Sequence, residues 1–191
     1  MALSPQNKPN YTPEQRQKKK GLIMVNTGDG KGKTSAALGV AFRAAGNNMH
    51  VAIIQFIKGK WKYGELESAK QLKTPIEIHA MGEGFTWDTK NRERDIEMTR
   101  KAWDLCKEKM MSGKYEVVVF DEINYVIDYH YLDLKEVLEA LTKKPEMVHV
   151  ILTGRNAKPE LIELADLVTE MREIKHPFKL QGILAQRGIE F

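Results

Sequence analysis

Short apolar runs recur along the chain, and stretches with helical spacing of apolar positions separate them. Residues 22–25, 51–56, 76–79, 117–120, 148–152 and 167–171 read as strands, and runs this short and this uniformly apolar suit strands covered on both faces. Helices are predicted from Lys33 through Ala36, Ala37, Leu38, Val40, Ala41 and Ala44, and again over 65–72. A long charged helix is predicted over 92–111, where Ile96, Thr99, Trp103, Cys106 and Met110 fall three and four apart on one face. Leu134, Val137, Leu138 and Leu141 mark another, with Asp133 at the N-cap position and Glu136 three residues on, and Pro159 is placed to open one more. Alternation of this kind implies a parallel sheet with helices on both faces. Ligands then bind at the carboxyl ends of the strands.

Between the first strand and the first long helix lie Thr27, Gly28, Asp29, Gly30, Lys31, Gly32, Lys33 and Thr34. The loop stands at a helix N-terminus, where free amides and the positive end of the helix dipole face an anion. Glycines let successive amides turn inward around phosphate oxygens, while Lys33 supplies a mobile positive charge and Thr34 a hydroxyl for Mg²⁺. One position departs from the usual Walker A spacing: five residues before Gly32, where glycine is ordinary, stands Thr27. The bland alternative is a glycine-rich turn that binds nothing.

A second chemical feature closes the fourth strand, which ends in Asp121 and Glu122. Across from a phosphate loop, an acid at such a strand end holds Mg²⁺ directly or through water. A third follows the third strand, where Met81, Gly82, Glu83, Gly84, Phe85, Thr86 and Trp87 put two aromatic rings on a glycine-flanked loop. These rings fit either a flat apolar ligand or a plug in the core beneath the loop.

Composition narrows the class. At 191 residues with 42% hydrophobic content, the chain buries a proper core as one unit. Its formal charge of +4 resides wholly in residues 1–20, where Lys8, Arg16, Lys18, Lys19 and Lys20 face Glu14; 25 basic and 25 acidic side chains balance over the rest. A body without its own basic excess argues against nucleic acid as a partner. No apolar leader or membrane-length stretch appears, and the lone Cys106 forms no internal disulfide, so a cytoplasmic protein is expected. Residues 1–20, with three prolines, read as a flexible arm before a single domain at 21–191. His50, His79, His130, His149 and His176 are scattered and read as structural.

Taken together, GDGKGKT at 28–34, QFIKG at 55–59, FDE at 120–122, LTGRNA at 152–157, GILAQRGIEF at 182–191 and the aromatic loop resemble the P-loop ATP:corrinoid adenosyltransferases of the CobA/CobO/BtuR type. The resemblance implies a RecA-like P-loop α/β fold and transfer of the 5′-deoxyadenosyl group of ATP to the Co(I) of a corrinoid, with triphosphate released. It implies ATP and a corrinoid as substrates, Mg²⁺ (with Mn²⁺ as an alternative), a homodimer, and an electron donor such as a reduced flavoprotein. Gly28, Asp29, Gly30, Lys31, Gly32, Lys33 and Thr34 would carry the phosphates, with Thr34, Glu122 and Asp121 on the metal. Phe85 and Trp87 would pack on the lower corrin face, displacing the axial ligand so that Co(II) is more easily reduced. The family holds its triphosphate in the reverse sense to ordinary P-loop enzymes, with which Thr27 is compatible. Arg43 and Arg155 are weaker candidates for nucleotide or interface contacts, equally readable as solvated salt-bridge residues, and Lys58 stands with them. A RecA-like ATPase or kinase, and a non-catalytic corrinoid or nucleotide sensor, are the rival readings.

Overall fold

The computed structural model describes residues 11–59, 63–82 and 91–190. In chain order the elements are α1 (Pro13–Gln17), β1 (Ile23–Thr27), α2 (Lys33–Gly46), β2 (Val51–Gln55), α3 (Gly64–Lys70), β3 (Ile76–Ala80) and α4 (Arg92–Met111). They continue as β4 (Val117–Asp121), α5 (Ile123–Asp128), α6 (Leu134–Thr142), β5 (His149–Thr153), α7 (Pro159–Leu164), β6 (Leu167–Glu170) and α8 (Pro177–Gln181). The strands form one sheet in the order β3-β2-β4-β5-β1-β6, and every pairing is parallel. This is the doubly wound α/β architecture expected from the sequence.

Period-two alternation sorts the strand residues between two apolar layers. On one face Val25, Ile54, Phe120 and Leu152 meet Trp103, Cys106 and Met110 of α4 together with Val137, Leu141 and Leu161. On the other, Val51, Ile53, Val119 and Ile151 meet an alanine stripe on α2, Ala37, Ala41, Ala44 and Ala45. Small side chains let α2 lie close to the sheet. Trp103 is fully buried and meets Phe120 edge-on, with ring centroids 5.9 Å apart at 83°; removing such a ring costs about 3–5 kcal/mol.

Two local expectations change. Asp133 caps α6 by accepting from the Lys135 amide at 2.9 Å, but Glu136 does not turn back to complete a capping box. Its carboxylate instead accepts from Arg100 Nη1 and Trp103 Nε1, each at 2.6 Å, and so ties α6 to α4. The last strand, β6, is present at the sheet edge, paired to β1, yet exposed along its whole length. His149, near the amino end of β5, accepts from the Leu22 amide at 3.1 Å, and burial lowers its pKa; it is a neutral structural group. Cys106 is buried, with its thiol pKa pushed well up by burial. Among the described residues no helix is long and apolar enough to cross a membrane.

Candidate functional site

Four of the central strands share a feature: an apolar run that ends in a polar side chain at the carboxyl edge. β1 ends in Asn26 and Thr27, β2 in Gln55, β4 in Asp121 and β5 in Thr153. Asp121 is fully buried and links the ends of β2, β4 and β5. Its Oδ1 accepts from Thr34 Oγ1 at 2.8 Å and from Thr153 Oγ1 at 2.7 Å, and its Oδ2 accepts from Gln55 Nε2 at 3.3 Å. The first helical turn of α2 is thereby joined to the end of β4. Sequence reasoning paired Thr34 with the acids but assigned nothing to Gln55 and Thr153, although a polar residue closing an apolar strand was there to be seen.

Glu122 follows in a left-handed conformation, φ 68°, with its amide donating to Thr153 Oγ1 at 2.9 Å. Burial, and then the neighbouring Asp121 charge, raise its pKa to about 7 against the pull of Lys33, Lys58 and Arg155. Its Oε2 is buried without a hydrogen-bond partner, as are Gln55 Oε1 and Asn124 Oδ1. Among the described residues only one other buried side-chain polar atom, His176 Nδ1, is in that state, so unmet polar capacity concentrates at this edge.

Lys33 lies inside the phosphate loop. Its ammonium donates to the carbonyls of Gly28 at 2.9 Å and Gly30 at 2.6 Å, and burial lowers its pKa. A cation held by loop carbonyls, with no carboxylate paired to it among the described residues, beside the N-terminus of α2 is an anion receptor in chemical terms. The glycines divide by role. A Cβ at Gly28 would sit 2.5 Å from the Met171 carbonyl oxygen, and one at Gly30 2.8 Å from the Arg172 backbone, where the chain beyond β6 packs against the loop; Gly28 also has φ +93°. The Gly30 amide, expected in the phosphate cradle, donates instead to Met171 O at 2.6 Å. Gly32 has open space around it but φ +107°, a backbone that only glycine adopts freely.

The remaining candidates separate. Lys31 is ion-paired with Glu190 of the C-terminal stretch, and Asp29 is exposed at the loop tip. Arg155, exposed in the turn after β5, contributes electrostatically at Lys33, Glu122 and Tyr125, so its charge bears on the site. Arg43 does not join them: it sits in the last turn of α2, ten residues past Lys33 and therefore roughly 15 Å along the helix. Lys58 pairs with Glu65 at 2.6 Å and stands over the Tyr63 ring. Phe85 and Trp87 lie outside the described residues; Met81 and Gly82, just before them, are fixed at the carboxyl edge by hydrogen bonds to Gln55 O and Lys58 O at 3.0 and 3.1 Å. Among the described residues no three His, Cys, Asp or Glu side chains are gathered as a metal site. A hydroxyl with one or two carboxylates suits Mg²⁺ carried on substrate phosphates, and the unpartnered Glu122 oxygen fits that donor set.

Sheet order, phosphate loop and strand-end acid define an α/β protein of the P-loop class. Within that class, residues 19–191 match the ATP:corrinoid adenosyltransferase BtuR/CobO/CobP family. The corrinoid adenosyltransferase of Sinorhizobium sp is 51% identical over 174 residues, covering 90% of this chain and 81% of that protein. Those of Pseudomonas aeruginosa and Escherichia coli K12 are 43% and 44% identical, each over 93% of this chain and over 87% and 89% of their own lengths. The chain belongs to the ATP:corrinoid adenosyltransferase family.

Proposed function

We propose that the protein transfers the 5′-deoxyadenosyl group of ATP to the cobalt of a corrinoid reduced to Co(I). The cobalt electron pair attacks the ribose C5′ carbon; a cobalt–carbon bond forms, the C5′–oxygen bond breaks, and its electron pair leaves on the triphosphate. Co(I) is a strong nucleophile, so no general base is needed. The protein's part is to hold C5′ in line and to accommodate the leaving charge.

One observation supports the reading: the Lys33 ammonium, held by Gly28 O and Gly30 O, and the Thr34–Asp121 hydrogen bond share one strand edge, the arrangement a triphosphate with its metal would need. Lys33 and the first amides of α2 bind the triphosphate, Arg155 approaches it from the facing turn, and Asp121 orients Thr34. Mg²⁺, or Mn²⁺ in its place, would be held by Thr34, Asp121 and Glu122 and would neutralise charge on the triphosphate. Phe85 and Trp87 are assigned to the corrin face on the family resemblance. We extend the proposal to a cytoplasmic homodimer served by an electron donor such as a reduced flavoprotein, with residues 1–20 an arm before the catalytic domain.

Incubation with MgATP and chemically reduced corrinoid tests this directly. Triphosphate and an adenosylated corrinoid should appear in equal amounts. ADP or orthophosphate as the sole nucleotide-derived product, with no cobalt–carbon bond in the visible spectrum, marks phosphoryl transfer instead.

A further inference from the structure

Thr27 is the one position of the phosphate loop that departs from the ordinary spacing, and its side chain is in use. The residue is buried, and its Oγ1 accepts a hydrogen bond from the Ala157 amide at 3.1 Å. One residue earlier, Asn26 O accepts from the Gly154 amide at 3.2 Å. The turn 154–157 thus hangs from the last two residues of β1, the strand that feeds the phosphate loop.

The other side of the turn is fixed to α5. Asn124 Nδ2 donates to Gly154 O at 3.0 Å, and Asn156 Nδ2 donates to Asp128 Oδ2 at 2.9 Å. Gly154 at φ +126° and Asn156 at φ 56° are both left-handed, and a Cβ on Gly154 would lie 2.9 Å from the Asn124 Cβ. Arg155 lies between these two bends, so its backbone direction is set by bonds on both sides, while its side chain is exposed and its charge is felt at Lys33 and Glu122. Glycine at position 27 would offer the Ala157 amide no acceptor. Threonine is the residue that supplies it.

We propose that Thr27 is a positioning residue: its hydroxyl fixes the height of the 154–157 turn above the phosphate loop and so aims Arg155 at the triphosphate. The inference rests on the reading of Arg155 as a phosphate contact. Thr27→Val keeps the volume and removes the acceptor; Thr27→Ser keeps the acceptor; Thr27→Ala repeats the loss without added bulk if the valine variant does not fold. Calorimetric titration of the full chain with ATP and Mg²⁺ gives the affinities.

Arg155→Ala is expected to weaken binding on the order of tenfold, and Thr27→Val on the order of fivefold, as for loss of a charge-assisted contact and of its alignment. In the Arg155→Ala background Thr27→Val should change affinity by less than about twofold, because the group it acts through is gone. Thr27→Ser should bind like the parent protein. An undiminished Thr27→Val effect in the Arg155→Ala background overturns the proposal while leaving Arg155 as a ligand. Parental affinity in Arg155→Ala alone overturns the reading of Arg155, and the proposal with it.

Discussion

Two glutamates in this protein are driven in opposite directions. Glu77, on β3 toward the amino ends of the strands, accepts from Lys109 Nζ at 2.7 Å, from the Tyr115 hydroxyl and from His79 Nε2 at 2.5 Å. Burial pushes its pKa up, but those hydrogen bonds outweigh burial and hold it at about 2. Glu122, at the carboxyl edge, is raised to about 7 by burial and by Asp121, and one of its oxygens has no partner. The first cluster is complete in itself and serves the fold. The second is left with unmet acceptors and a buried cation, a state that a ligand completes.

Lysine replacement breaks or upholds this contrast with the largest effect. Lys33→Ala should weaken ATP binding by more than about a hundredfold, since it removes the cation beneath the phosphates. Lys109→Ala should leave ATP affinity within about twofold and lower thermal stability, because its partners are Glu77 and Tyr115. Titration with ATP alongside a thermal melt of each variant decides it. Equal loss of ATP affinity in both would erase the distinction between the two clusters.

On the resemblance-based assignment, Trp87→Ala separates the corrinoid from the nucleotide. On the proposed assignment turnover with corrinoid falls on the order of tenfold or more while ATP affinity stays near the parental value. Kinetics with each substrate varied in turn provide the readout. A large loss of ATP binding assigns Trp87 to the nucleotide instead.

The two carboxylates also give opposite stability profiles with pH. Glu122 has a folded pKa above its unfolded one, so its contribution is full at acid pH and is lost as pH rises through about 7. Glu122→Gln should therefore stabilise the ligand-free protein at pH 8, by about 3 kcal/mol, and have little effect near pH 4. Glu77 has a folded pKa below its unfolded one, so its contribution is present above the ordinary carboxylate range and fades as pH falls toward 2. Glu77→Gln should destabilise at pH 7 and converge on the parent in acid. Its effect is the smaller, because the Glu77 side chain is 39% exposed and solvent screens its partners. Denaturant melts across pH 2–8 measure both, and slopes of the same sign would contradict the contrast.

What the sequence disclosed divides along physical lines. Strands and helices were legible because a run such as Val117 to Phe120 is apolar in every position, and α4 repeats its apolar face every three or four residues. The phosphate loop and the strand-end acids were legible because both lie in short contiguous segments. Contacts that span the chain were not: Met171 and Arg172, some 140 residues later, come up against Gly28 and Gly30, and nothing in the loop itself signals that. Glu136 had the spacing of a capping box, yet Trp103 and Arg100, brought near by packing, were the stronger partners. Gln55 and Thr153 became meaningful only once β2, β4 and β5 lay side by side around Asp121.

Arg43 offers the smallest expected effect and the cleanest check on reading sites from geometry. Sequence proximity to the phosphate loop made it a candidate, but helix rise carries it roughly 15 Å from Lys33, to the end of α2 where the dipole is negative. A cation there favours the helix terminus rather than an anion at the other end. Arg43→Ala should thus leave ATP affinity within about twofold and cost a few tenths of a kcal/mol of stability. If ATP binding falls tenfold in calorimetry, α2 delivers charge to a site that one subunit alone does not form, and a second copy of the chain must bring it there.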